Sequence, residues 1–218
     1  MSLKNLFGGF RRAPKEKIED AGASDSHGET RWVIAGLGNP GEDYAGSRHN
    51  AGFRVMDQIA KNKHARFDRR KFKGELAEAE LAGARVLLVK PQTYYNGSGE
   101  CVAAILGYYK VPPSRLIVVH DELDLQVGRL RLKQGGSDAG NRGVRSVEQS
   151  LGTPDFIRVR VGVSRPPGER ESKDYLLERM STEARASLAG SIERAAEAVE
   201  AIIADGLERA MGRFNQRA

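Results

Sequence analysis

The chain of 218 residues has a single cysteine, Cys101, so no disulfide can close within it. That scarcity fits a reducing, cytoplasmic setting. Its apolar runs are only a handful of residues long, far short of the roughly 20 that cross a bilayer, so no membrane span is expected. No hydrophobic stretch of signal-peptide type lies near the N-terminus. Neither a Walker-type G-K-[ST] nor a G-x-S-x-G nucleophile elbow occurs, and His, Cys and Asp do not cluster at metal-ligand spacing.

Positive charge, by contrast, is in excess: the formal net charge is +6 and the pI about 9.5. It is also local. Residues 126–170 hold nine Lys/Arg against four Asp/Glu, and residues 61–73 hold seven against one, whereas residues 171–218 hold seven against nine. Such runs either form a solvated face or meet a polyanion. Residues 1–30 carry five basic and five acidic residues and few bulky apolar ones, which predicts a disordered extension ahead of one domain over residues 31–218.

From Arg31 onward, strand and helix patterns alternate. "RWVIAGL" reads as a buried strand, and "NAGFRVMDQIAKNK" as a helix with Phe53, Met56, Ile59 and Ala60 at helical spacing and Asn50 as N-cap. "GELAEAELAGARVLLVK" reads as a hairpin, "ECVAAILGYYK" as a helix stopped by Pro112 and Pro113, and "RLIVVHDELD" as a strand running into acids. "GRLRLK" and "IRVRVGV" alternate arginine with apolar residues, so Arg129 and Arg131 share a face, as do Arg158 and Arg160. "NRGVRSVEQSLG" is a short helix, residues 182–204 a long amphipathic one, and "LERAMGRFNQ" a last helical stretch. The pattern predicts a single α/β domain: a mixed, mostly parallel, twisted sheet with helices on both faces. Functional residues then belong at the carboxyl ends of strands.

Four loops meet that rule. "GLGNPG" follows the first strand, but Pro40 intervenes before Gly41. The acid expected about 20 residues on, at the end of a second strand, is missing because that region is helical. A dinucleotide site, and with it a dehydrogenase, is disfavoured. "SRHN" places His49 just before a helix, as a base or simply as a surface or capping residue. "VVHDELD" places Asp121 where a strand leaves the sheet; it is either a turn aspartate or a carboxylate able to orient an imidazole. "KPQTYYNGSG" offers the faces of Tyr94 and Tyr95 and the amide of Asn96, or no more than Asn-Gly turn chemistry. Each stretch is weak alone.

Together, "GLGNPGEDYAGSRHNAGF", "KPQTYYNGSG", "HDELDL" and "GRLRLKQGGSDAGNRGVRS" resemble, in order and spacing, the bacterial-type peptidyl-tRNA hydrolases, from about Trp32 to the C-terminal helix. The resemblance implies hydrolysis of the ester between a peptide and the 3′-terminal ribose of tRNA, without metal or cofactor. It implies His49 as base, Asp121 as its orienting carboxylate and Asn39 as the amide that positions water or carbonyl. Tyr44, Tyr94, Tyr95 and Asn96 match positions around the terminal nucleotide and the ester. Arg129, Arg131, Lys133 and Arg160 are expected on acceptor-stem phosphates, and the protein is expected to act as a cytoplasmic monomer.

The sequence departs from the family twice. Tyr94-Tyr95 stands where relatives commonly carry phenylalanine-methionine. In "GGSDAGNRGVRS", Asn141 and Arg142 fall where relatives read His-Asn, so either Asn141 replaces the loop amide or Arg142 binds phosphate. Plant organelle splicing factors, which are similar in sequence and have lost hydrolysis, supply the alternative of an inactive RNA-binding relative.

Overall fold

The computed structural model describes residues 31–216; the expected N-terminal extension lies outside them. Seven strands form one sheet in the order β2-β3-β4-β1-β5-β7-β6. They are β1 (Trp32–Gly36), β2 (Arg69–Lys71), β3 (Gly74–Leu81), β4 (Ala84–Pro91), β5 (Leu116–Glu122), β6 (Leu130–Gln134) and β7 (Ile157–Gly162). The centre, β4-β1-β5-β7, is parallel, while β2 and β3 at one side and β6 at the other run antiparallel. The sheet is mixed, as expected, with parallel pairing at its centre and antiparallel pairing at both margins.

Helices cover both faces. They are α1 (Glu42–Ala45), α2 (Ala51–Asn62), α3 (Ser98–Tyr109), α4 (Arg142–Leu151), α5 (Ser172–Leu177), α6 (Thr182–Asp205) and α7 (Leu207–Phe214). One apolar cluster joins β-strand residues such as Ile34, Leu88 and Val119 to α2, α6 and α7. The other joins Val33, Leu87 and Val118 to α3 and α4. Side chains one residue apart on β1, β4 and β5 thus enter opposite cores, as strand alternation requires. No helix among the described residues is long and apolar enough to cross a membrane.

The glycines of the first loop serve packing. A Cβ on Gly36 would lie 2.3 Å from the carbonyl oxygen of Gly52, and one on Gly52 would lie 2.3 Å from the Leu37 amide nitrogen and 2.4 Å from the Val119 carbonyl oxygen. Backbone here meets backbone, so α2 starts hard against the ends of β1 and β5. The close approach explains the spacing that mimics a nucleotide loop. Gly52→Ala is expected to push α2 outward at a cost of about 1–3 kcal/mol. That lowers the melting temperature by about 2–12 °C for a domain of this size. An unchanged melting curve would show that the junction tolerates a methyl group.

Candidate active site

The carboxyl ends of β1, β4 and β5 open on one cavity of about 590 Å³. Each contributes a loop the sequence singled out: Asn39 after β1, Tyr94 to Asn96 after β4, and Asp121 at the end of β5. His49 enters from the 3₁₀ turn Arg48–Asn50, which the Gly36–Gly52 contact presses onto the sheet. Tyr44, Asn141 and Arg142 complete the rim from α1 and the start of α4.

His49 Nδ1 lies 3.0 Å from both oxygens of Asp121. An ionised carboxylate only accepts, so Nδ1 carries the proton and donates it, leaving the Nε2 lone pair for the cavity. The imidazole keeps 17% of its surface exposed and the carboxylate 1%. Burial works against ionisation of Asp121. Attraction to His49, with hydrogen bonds from His49 and Tyr95, more than offsets it and holds the carboxyl below the usual aspartate value. The carboxylate is therefore charged at neutral pH.

Asn39 is locked by three hydrogen bonds. Its N–H donates to Asn50 Oδ1 at 2.9 Å, its carbonyl accepts from Asn50 Nδ2 at 2.9 Å, and its own Oδ1 accepts the Tyr95 N–H at 2.7 Å. With the oxygen end of the amide so occupied, the Nδ2 end is left as a donor, on a residue that lines the same cavity as His49. Asn50 was expected as an N-cap, but its side chain makes no capping bond to α2 and holds the first loop instead.

Tyr95 was expected to offer a stacking face to substrate. Its ring is 4% exposed and stacks on His49 at 3.5 Å between centroids, 15° from parallel, and its hydroxyl donates to Asp121 Oδ1 at 2.6 Å. Tyr94, 68% exposed, is the aromatic face open to a ligand. Asn141 is likewise committed: Oδ1 caps α4 through the Gly143 and Val144 N–H groups, and Nδ2 donates to the Tyr95 hydroxyl at 3.0 Å. Of the two departures in that loop, only Arg142 is exposed at the cavity, with no ion pair among the described residues.

A family model described as peptidyl-tRNA hydrolase matches residues 33–218. The chain belongs to the peptidyl-tRNA hydrolase family. A peptidyl-tRNA hydrolase of Frankia casuarinae is 49% identical over 188 residues, covering 86% of this chain and 95% of that protein. One of Mycobacterium marinum is 47% identical over 184 residues, covering 84% and 96%. The crystal structure of peptidyl-tRNA hydrolase from Acinetobacter baumannii superimposes with a TM-score of 0.79 at 32% identity, covering 87% and 97%. The reading as an inactive splicing factor gains no support from these relatives.

Against the family expectation, the basic residues divide. Arg131 faces Arg160, and Lys133 faces Arg158, across the β6–β7 pair, so all four project from one face of the sheet. Arg158 is buried, and bonds Glu148 on α4 and the carbonyls of Gly136 and Ser137. It braces the glycine-rich loop. Arg160 is held on Glu122 at 2.7 Å, which takes up much of its charge. Arg131 is exposed, and Arg129 and Lys133 are half-buried; none of the three has an ion pair among the described residues. Partial burial and the charges of Arg158 and Arg160 hold the Lys133 ammonium below its usual value, a sign of concentrated positive potential. None of these cations lines the cavity.

Sequence reasoning missed one wall of the cavity. It comprises Leu123 and Asp124 beyond β5, Arg165, and Ser172, Lys173, Leu176 and Leu177 on α5. Arg48 ties α5 to the turn that carries His49, pairing with Glu178 at 3.0 Å and lying 3.9 Å over the Tyr175 ring. The only signal for this wall was the unassigned stretch between the strand "IRVRVGV" and the long helix.

Proposed function

We propose that the chain cleaves the ester of peptidyl-tRNA with His49 as general base, Asp121 as its orienting carboxylate and Asn39 as an oxyanion donor. The observation that carries this reading is the pairing of His49 with the buried Asp121 in the cavity that Asn39 also lines. His49 Nε2 takes a proton from water, and the hydroxide attacks the ester carbonyl carbon. The bond from that carbon to the ribose oxygen breaks, and His49 returns the proton to this oxygen. A peptide carboxylic acid, which gives up its remaining proton to solvent at neutral pH, and a free 3′ end of tRNA leave. Asp121 stabilises the imidazolium between the two transfers. Asn39 Nδ2, with Asn96 at the mouth, donates to the oxyanion; such a donor is typically worth about 3 kcal/mol.

Tyr94 stacks the terminal base, Tyr44 flanks it, and Arg142 meets a nearby phosphate. The acceptor stem lies along Arg129, Arg131 and Lys133 on the edge strand, contacts that neutralise phosphates without reading sequence. Arg160→Ala would strand the buried Glu122 carboxylate, so Arg160 is a poor probe of this surface. Arg129→Ala with Arg131→Ala is the clean test. KM is expected to rise and the slope of log KM against log salt to flatten by about one for each lost contact. kcat should hold, because these bonds are equal in ground and transition states. Unchanged KM and slope would place the acceptor stem elsewhere.

The enzyme acts as a monomer in the cytoplasm. Among the described residues only Tyr94, Tyr108 and Val127 are exposed large hydrophobics, few for a stable apolar interface. A substrate generated by translation places the activity beside the ribosome. The function is tested by following release of free tRNA from an N-blocked aminoacyl-tRNA; no release would overturn it.

A further inference from the structure

Tyr95 makes contacts that ester hydrolysis by a His–Asp pair does not itself require. Its hydroxyl donates to Asp121 Oδ1 at 2.6 Å, the length of a charge-assisted bond, and accepts from Asn141 Nδ2 at 3.0 Å. Its ring covers one face of His49, and its N–H orients the Asn39 amide. Helix α4 is closed onto it: a Cβ on Gly143 would lie 2.4 Å from the ring. With the hydroxyl and N–H both used and 4% of the residue exposed, little is left to bind substrate.

We propose that Tyr95 is a positioning residue that moderates the basicity of His49 through Asp121, with Asn141 holding the phenol in place. This rests on the reading of His49 as base. The negative charge of Asp121 is what stabilises the imidazolium, and the phenol withdraws part of that charge. The ring stack meanwhile keeps the imidazole in the plane that aims Nε2 at the cavity. Burial and the Asp121 charge push the phenol far above its usual pKa, so it remains a donor throughout. The other ionisable groups around the pair are His120 beside Asp121 on β5, Glu122 at the end of that strand and Asp124 beyond it, Tyr44 and Tyr94 at the rim, Arg142 on α4, and Arg165 and Lys173 on the outer wall. They stay in place when only the hydroxyl is removed, so the Tyr95–Asp121 bond can be tested alone.

Tyr95→Phe keeps the ring and removes the hydroxyl. Asp121 then keeps its full charge for the imidazolium, and the neutral base persists only at higher pH. The acid limb of kcat/KM for N-acetyl-aminoacyl-tRNA is expected to move up by about half to one pH unit. KM should stay near wild type. The midpoint of the His49 imidazole titration, followed by NMR in the free protein, should move by the same amount. A raised KM with both midpoints unmoved would make Tyr95 a substrate contact and overturn the proposal, as would a variant in which nothing moves. If the NMR midpoint shifts while the rate profile does not, the coupling stands and the assignment of His49 as base fails. If Tyr95→Phe does not fold, Tyr95→Met, which also lacks the hydroxyl, carries the same two measurements.

Discussion

Replacing His49 with alanine is expected to lower turnover of peptidyl-tRNA by roughly 10²- to 10⁴-fold, the range attributed to a positioned acid–base group. KM should change little, because the imidazole acts on water and the leaving oxygen while phosphates and the terminal base supply the binding. Folding should survive, since the side chain is partly exposed and α2 is held by Met56, Ile59 and the Gly36–Gly52 contact. Near-normal turnover in the variant would remove His49 from the reaction. A loss confined to KM would make it a binding residue instead.

The second large effect is expected at Asn39. Asparagine and aspartate have the same shape, so Asn39→Asp can keep the 2.7 Å bond from the Tyr95 N–H to Oδ1. The change falls on the other end of the side chain, where a donor becomes a charged acceptor facing the developing oxyanion. Loss of a donor of this kind typically lowers kcat by about 10²–10³-fold, and the added negative charge increases the loss. KM for the neutral ester should move far less. A kcat within a few-fold of wild type would assign oxyanion stabilisation to Asn96 or to a backbone N–H.

Much of the framework was legible in the sequence, for identifiable reasons. "RWVIAGL" and "RLIVVHDELD" read as strands because they are short, apolar and β-branched, and they became the adjacent parallel strands β1 and β5. That adjacency brings His49 and Asp121, 72 residues apart, within 3.0 Å. The roles of Asn50 and Tyr95 were not legible. Local pattern assigns an asparagine before a helix to the cap, whereas this one closes a bond pair with a residue 11 positions earlier. A tyrosine beside a loop asparagine carries no mark of whether its ring meets a ligand or an imidazole. That depends on how closely α4 can approach, which Gly143 decides.

The arginines show the same limit. "RLRLK" and "IRVRV" have identical alternation, yet β6 is the sheet edge and β7 an inner strand under α4, so Arg131 is exposed and Arg158 buried. The basic stretch 61–73 also reads differently in three dimensions. Lys63, Arg69, Arg70 and Lys73 each pair with a glutamate, which neutralises much of what composition suggested as a polyanion-binding face. Helix α5 escaped notice because six residues cannot establish a helical period.

The most direct test of the central claim, a water activated by the His49–Asp121 pair, is the pH dependence of kcat/KM for an N-blocked aminoacyl-tRNA in wild type and His49→Ala. The wild type should release free tRNA with a rate that rises with unit slope through one ionisation on the acid side. His49→Ala should keep only a low residual rate with that limb gone. Survival of the limb in the alanine variant would contradict the account, because another group would then be taking the proton.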